Sequence, residues 1–241
     1  NRKKIKILSK KPGILILSHS FFDSPHVFGN NLFPDFKHWF NFLSKLINKT
    51  ENKYSWYIKP HPNKFDLTNK EIKSFLKKNK KVNLIKTNYN FKEYQKLKIK
   101  VILTVFGQIS KESILHKILC INASKCTPSS TYSFALTPKS LTEYENQIIN
   151  YKKFLKKVFN KKSLEELFMY SFMENVYFHR NYLFDDYQKY IFSKKSKQQI
   201  YNSSFYGDWI KLFNTKKHNK IINRLKNFVT SKDYSISLKH N

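Results

Sequence analysis

A largely parallel α/β sheet with helices on both faces, followed by a helical extension, is the fold that this sequence predicts, and three observations lead to it. Short β-type runs alternate with segments whose apolar residues recur at helical spacing. Three polar clusters fall at the ends of such runs, where an open α/β sheet places its ligand loops. With 241 residues and 40% hydrophobic content, the chain can bury the core of one large domain, or of one domain plus a helical appendage.

The elements follow in order. Residues 3–8 and 14–17 are β-type runs parted by the turn signal Lys11-Pro12-Gly13. A polar loop comes next, from Ser18 and His19 through Asp23 to Pro25 and His26. Asp35 or a neighbour opens a helix whose apolar residues Phe36, Trp39, Phe40, Leu43, Leu46 and Ile47 share one face and belong to the core. A strand over 54–58 precedes a helix over 66–79 with Leu67, Ile72, Phe75 and Leu76 apolar, and a further strand covers 82–85. A short helical piece at 89–97 leads to 101–105, the most β-prone stretch of the chain. Residues 109–116 read as helix, 118–123 as strand and 124–138 as loop. Helices are expected over 141–159 and 163–192, the second unusually aromatic, before a polar tail that frays from Ser231. The chain thus divides into an α/β domain at 1–140 and a helical extension at 141–241, packed on it.

Composition narrows the function classes. The formal net charge is +30, yet only three of the 46 basic residues, Arg2, Arg180 and Arg224, are arginine. Readers of base edges and bidentate phosphate contacts lean on arginine, so no specific nucleic-acid partner is expected. Abundant lysine, asparagine, isoleucine and tyrosine with four glycines reads as the codon bias of an AT-rich genome. A basic face would still hold the chain near anionic lipid headgroups, at about 1 kcal/mol per lysine. Neither a signal-peptide pattern nor a membrane-spanning apolar run is present, and Cys120 and Cys126 make neither a disulfide framework nor a zinc site. A cytoplasmic setting, peripheral to the membrane at most, is the simple reading, with no metal. The start at Asn1 suggests a piece of a longer chain.

Two of the clusters carry readable chemistry. In Lys59-Pro60-His61-Pro62, two prolines clamp a histidine beside a cation, which suits a phosphate or leaving group, or else makes a stiff turn with an exposed histidine. In the stretch from Thr104 to Glu112, Gly107 lets backbone approach a ligand closely. Gln108 and the residues after it expose first-turn amides, Ser110 adds a hydroxyl and Glu112 a carboxylate suited to ribose hydroxyls. Ordinary helix capping accounts for Ser110 and Glu112 equally well. Neither GxGxxG nor a Walker pattern is present.

The run from Phe22-Asp23-Ser24-Pro25-His26 through Phe33, Asp35 and Trp39, then Trp56, Lys59-Pro60-His61-Pro62, Thr104, Gly107, Glu112 and Ile121-Asn122-Ala123, resembles bacterial capsule and surface-polysaccharide glycosyltransferases. The resemblance covers residues 14–140 and matches the nucleotide-binding, C-terminal Rossmann-like half of their GT-B fold. A similar histidine-proline turn occurs in Kdo and sialic-acid transferases and in CDP-glycerol glycerophosphotransferases. It implies a nucleotide-activated sugar as co-substrate, cytidine-type slightly favoured, no other cofactor, and a polysaccharide or glycolipid acceptor. Carried over by position, His61 and Lys59 would meet the donor phosphates, and Gly107, Gln108, Ser110 and Glu112 would hold phosphate and ribose. Asp23 becomes the candidate base of a metal-independent transfer, or an Asx-type turn residue, while His19 and His26 flank the acceptor or cap their loop. A glycerophosphotransferase is the alternative within the fold, and a charge-driven polyanion binder the alternative outside it.

Overall fold

The computed structural model describes residues 10–21, 31–62, 66–125 and 130–174, with further helical positions between 219 and 230. The chain divides into two compact units, Asn1–Tyr170 and Ser171–Asn241. The first unit holds five parallel strands: β1 (Gly13–Leu17), β2 (Ser55–Lys59), β3 (Val82–Leu84), β4 (Ile99–Thr104) and β5 (Leu119–Asn122), in the order β3-β2-β1-β4-β5. The predicted run at 3–8 and the predicted helix beyond 174 lie outside the described residues.

Successive residues of a strand point to opposite faces of the sheet. Ile14, Leu15 and Ile16 are nevertheless all fully buried, as are Val101, Ile102 and Leu103, so both faces of the sheet are covered. This is why these strands read as continuous apolar runs and not as alternating ones. The edge strand β3 is three residues long and leaves Leu84 exposed.

Parallel neighbours need crossovers, and the helices supply them. Helix α1 (Phe36–Thr50) starts where the Asp35 carboxylate accepts from the His38 backbone N–H at 2.7 Å. Its buried residues Phe36, Trp39, Phe40, Leu43, Leu46 and Ile47 make the single stripe that the spacing predicts, and Thr50 is buried with them. Thr50, which that stripe omits, donates to the Leu46 carbonyl at 2.7 Å and accepts the indole N–H of Trp56 at 3.2 Å. Its hydroxyl therefore ties α1 to β2 inside the core. Helices α2 (Asp66–Lys78) and α3 (Phe91–Lys96) follow, α3 opened by a capping box between Asn90 and Glu93.

The helix predicted over 109–116 is shorter than expected: α4 (Ile109–Ser113) passes into a 3₁₀ turn over Ile114–His116, which Lys117 closes in the left-handed region. The helix predicted over 141–159 is likewise divided. Helix α5 (Leu141–Ile149) ends at Asn150, whose backbone leaves the helical region, and a 3₁₀ turn over Tyr151–Phe154 joins it to α6 (Leu155–Val158). From α5, Tyr144 and Ile148 enter the core fully buried, and Tyr144 accepts the indole N–H of Trp39 at 3.0 Å. Helix α7 (Lys161–Phe172) sets Leu167 in the same core, and its Glu166 carboxylate accepts the backbone N–H and hydroxyl of Ser133. No helix among the described residues is long and apolar enough to cross a membrane.

Candidate functional site

The strand order reverses between β1 and β4, whose crossovers lead away in opposite directions along the sheet. Ligands of open α/β sheets bind beyond the carboxyl ends of the strands at such a switch point. A cavity of about 460 Å³ opens there, within the usual range for small-molecule sites of roughly 300–1,000 Å³. Its walls come from the segment after β1 (Ser18, His19), the turn after β2 (Lys59 to Pro62), the turn after β4 (Phe106 to Ile109) and Tyr94 of α3.

The turn after β2 is held by its neighbour. The Ser18 backbone N–H donates to the Lys59 carbonyl at 3.1 Å, and the Ser18 hydroxyl accepts the His61 backbone N–H at 3.1 Å. The two prolines and this pair of bonds fix the direction in which Lys59 and His61 leave the sheet. Lys59 is half-buried, and desolvation holds its ammonium below the ordinary lysine range, opposed by the Glu112 carboxylate. Its Nζ donates to the Tyr89 carbonyl at 2.7 Å and the Tyr94 hydroxyl at 2.9 Å, and stands 5.4 Å from the centre of the Tyr94 ring. Burial, then Glu112 and Glu93, push Tyr94 up to about 12, so its hydroxyl keeps its proton.

The turn after β4 is organised by His19. The His19 ring stacks on Phe36 with centroids 5.0 Å apart and meets Phe106 at 4.5 Å. Its Nε2 accepts the Val105 backbone N–H at 3.0 Å and lies 3.0 Å from the Thr104 hydroxyl, which itself accepts the Gly107 backbone N–H at 3.1 Å. Enclosure, and secondarily His61, hold His19 down at about 3, so the ring is neutral at neutral pH.

This arrangement makes Gly107 sensitive for a steric reason. A Cβ at Gly107 would stand 2.6 Å from the hydroxyl oxygen of Thr104, itself only 1% exposed and without room to retreat. Gly107→Ala is expected to destabilise the fold by about 1–3 kcal/mol. In a Thr104→Ala background the same change should cost little, because the colliding atom is gone; equal costs in both backgrounds, measured by urea denaturation, would refute the collision.

His19, Lys59, His61, Gly107 and Gln108 are therefore brought together around one cavity. Ser110 is not: it is buried on α4 with Ser113, at 1% exposure, and is absent from the cavity lining. Glu112 is exposed and outside the lining, and its charge raises the values of Lys59 and Tyr94, secondary to burial in both cases. Asp23 and His26 lie outside the described residues. The sequence places Ser18 and Thr104 in the polar clusters without a role and does not single out Tyr94; all three are supports with partners distant in the chain. No cluster of metal-ligating side chains occurs among the described residues, and Cys120 is buried, its thiol pushed up to about 12.

Strand order, crossovers and cleft together define a Rossmann-like α/β domain with a ligand cavity at its switch point. No family model matches the chain, and no curated protein matches it. Among solved structures it is similar to Staphylococcus aureus MnaA solved with UDP, at 14% identity and a TM-score of 0.46, over 69% of this chain and 46% of that one. It is also similar to a Listeria monocytogenes protein described as a UDP-N-acetylglucosamine 2-epimerase, at 10% identity and a TM-score of 0.45, over 64% and 40%. The chain thus spans less than half the length of either protein.

Proposed function

We propose that this chain is the nucleotide-binding half of a GT-B-type glycosyltransferase that moves a sugar from a nucleotide-activated donor to a capsule or surface polysaccharide. The observation that carries the reading is the state of Lys59. An ammonium has three donors, and two are taken by Tyr89 and Tyr94. No carboxylate of the described residues lies within ion-pairing distance of it, and none lines the cavity. A desolvated cation with a donor to spare, beside a histidine on a rigid turn, favours an anionic ligand. The resemblance of the Lys59-Pro60-His61-Pro62 turn to cytidine-donor transferases supports a phosphate of that donor type.

In the transfer, the bond from the sugar's anomeric carbon to the donor phosphate breaks and a bond to the acceptor hydroxyl oxygen forms. The hydroxyl proton passes to a base, for which Asp23 is the candidate, and the electron pair leaves with the phosphate. Lys59 and His61 stabilise that departing charge. The acceptor is a glycan or glycolipid at the cytoplasmic membrane face, where the lysine-rich surface assists.

A thermal-shift titration with CMP, CDP, UDP, GDP and ADP tests the reading, since a ligand at 100 times its Kd stabilises by about 2.7 kcal/mol. One nucleotide should stabilise selectively, and Lys59→Met or His61→Ala should weaken it about 10- to 100-fold. No shift with any nucleotide, together with salt-sensitive binding to unrelated DNA, would replace this reading with that of a charge-driven polyanion binder.

A further inference from the structure

We infer that His19 is a second reader of the ligand, a neutral ring that donates from Nδ1–H to a phosphate oxygen while Nε2 ties it to the turn after β4. The inference rests on the anionic-ligand reading of the cavity given above. A backbone N–H can only donate, so the Val105 N–H at 3.0 Å requires a lone pair on Nε2. The Thr104 hydroxyl accepts from Gly107 N–H and so keeps its own proton to share with the same nitrogen. Of the two neutral tautomers, only the one protonated at Nδ1 satisfies these bonds.

No described residue accepts from Nδ1, although His19 lines the cavity. Phe36 and Phe106 hold the ring plane, so the remaining donor has a set direction. The charged or titratable neighbours are Lys59 and His61 at the β2 end, whereas α1 and the β4 end meet the ring with Phe36, Trp39, Thr104, Val105 and Phe106. A second cation beside Lys59 would be repelled and costly to desolvate. A neutral donor avoids both penalties and still supplies direction. Lys59 then brings charge and His19 orientation. Because Thr104 links the ring to Gly107, a ligand drawing on Nδ1 also steadies the turn that Gly107 occupies.

Long-range ¹H–¹⁵N spectra of the full chain with ¹⁵N-labelled histidine, recorded at pH 7 with and without inorganic pyrophosphate, test this directly, with His19→Gln for assignment. Glutamine retains an oxygen able to accept from Val105 but has no counterpart to Nδ1–H in that position. The expected result is an Nδ1–H pattern for His19, a shift of its Nδ1 resonance with pyrophosphate, and about 10-fold weaker pyrophosphate binding in His19→Gln. An Nε2–H or doubly protonated His19 would overturn the inference whatever the ligand does. Pyrophosphate binding that moves His61 and leaves His19 unmoved would also overturn it, with the anionic cavity intact. Absence of any pyrophosphate binding would remove both the cavity reading and the role of His19.

Discussion

Acidification from pH 6.5 towards 3 is expected to remove at most about 5 kcal/mol of stability through His19 alone. The folded ring is held down at about 3 by enclosure first and His61 second, against an ordinary value of 6.5. Above pH 6.5 the ring is neutral in both states and the stability is fully present. Below it, the unfolded chain binds a proton that the folded chain refuses, so stability falls by about 1.4 kcal/mol per pH unit until the folded value is reached. The figure is a ceiling because an edge of the ring stays on the cavity, where water would ease the cost of the charge. Protonation also deletes the lone pair that receives the Val105 N–H, so the cost appears in the turn after β4. Unfolding free energies from urea denaturation between pH 7 and pH 4 should fall steeply in the native chain, with a pH slope smaller by nearly one proton, about 1.4 kcal/mol per pH unit, in His19→Gln. Parallel pH slopes would show that His19 does not govern acid sensitivity, whatever the absolute stability of the variant.

Trp39→Ala is expected to cost about 3–5 kcal/mol. Trp39 is wholly buried on α1, its indole N–H reaches the Tyr144 hydroxyl on α5, and its ring meets Phe40 and His19. Truncation opens a cavity between these elements and leaves the buried Tyr144 hydroxyl without its donor. Tyr144→Phe isolates the polar part: the indole N–H loses its acceptor at about 1–3 kcal/mol while most of the ring volume remains. The pair should be non-additive in a double-mutant cycle, because each change removes the same hydrogen bond. Chemical denaturation followed by circular dichroism reads both, and a Trp39→Ala cost no greater than that of Tyr144→Phe would show that the void closes.

Much of this was legible in the residues. The stripe Phe36, Trp39, Phe40, Leu43, Leu46 and Ile47 repeats at helical spacing, and Asp35 before it is a capping residue, so α1 follows from local pattern. Chain order places Lys59 and His61 directly after an apolar run, and a parallel sheet sends such a turn to the ligand side. Ser110 escaped this logic. A residue on a short helix is exposed or buried according to the rotation of that helix, and a five-residue helix has too little periodicity to show it. Helix 141–159 was over-extended for a related reason: apolar spacing continues through Asn150, while the backbone turns there.

By itself, then, the sequence determined the α/β class, the alternation of strands and helices, the core face of α1 and the rigid Lys59 to Pro62 turn, because each depends on residues within a few positions of one another. Tertiary structure alone decided which strand ends meet, and with that the site. Thr104 reaches His19 across 85 residues, Tyr94 reaches Lys59 across 35 and His61 reaches Ser18 across 43. Those contacts come from the order β3-β2-β1-β4-β5, which sets β4 beside β1. Strand order is settled by the burial of two sheet faces at once, a sum over the whole core that no local spacing records.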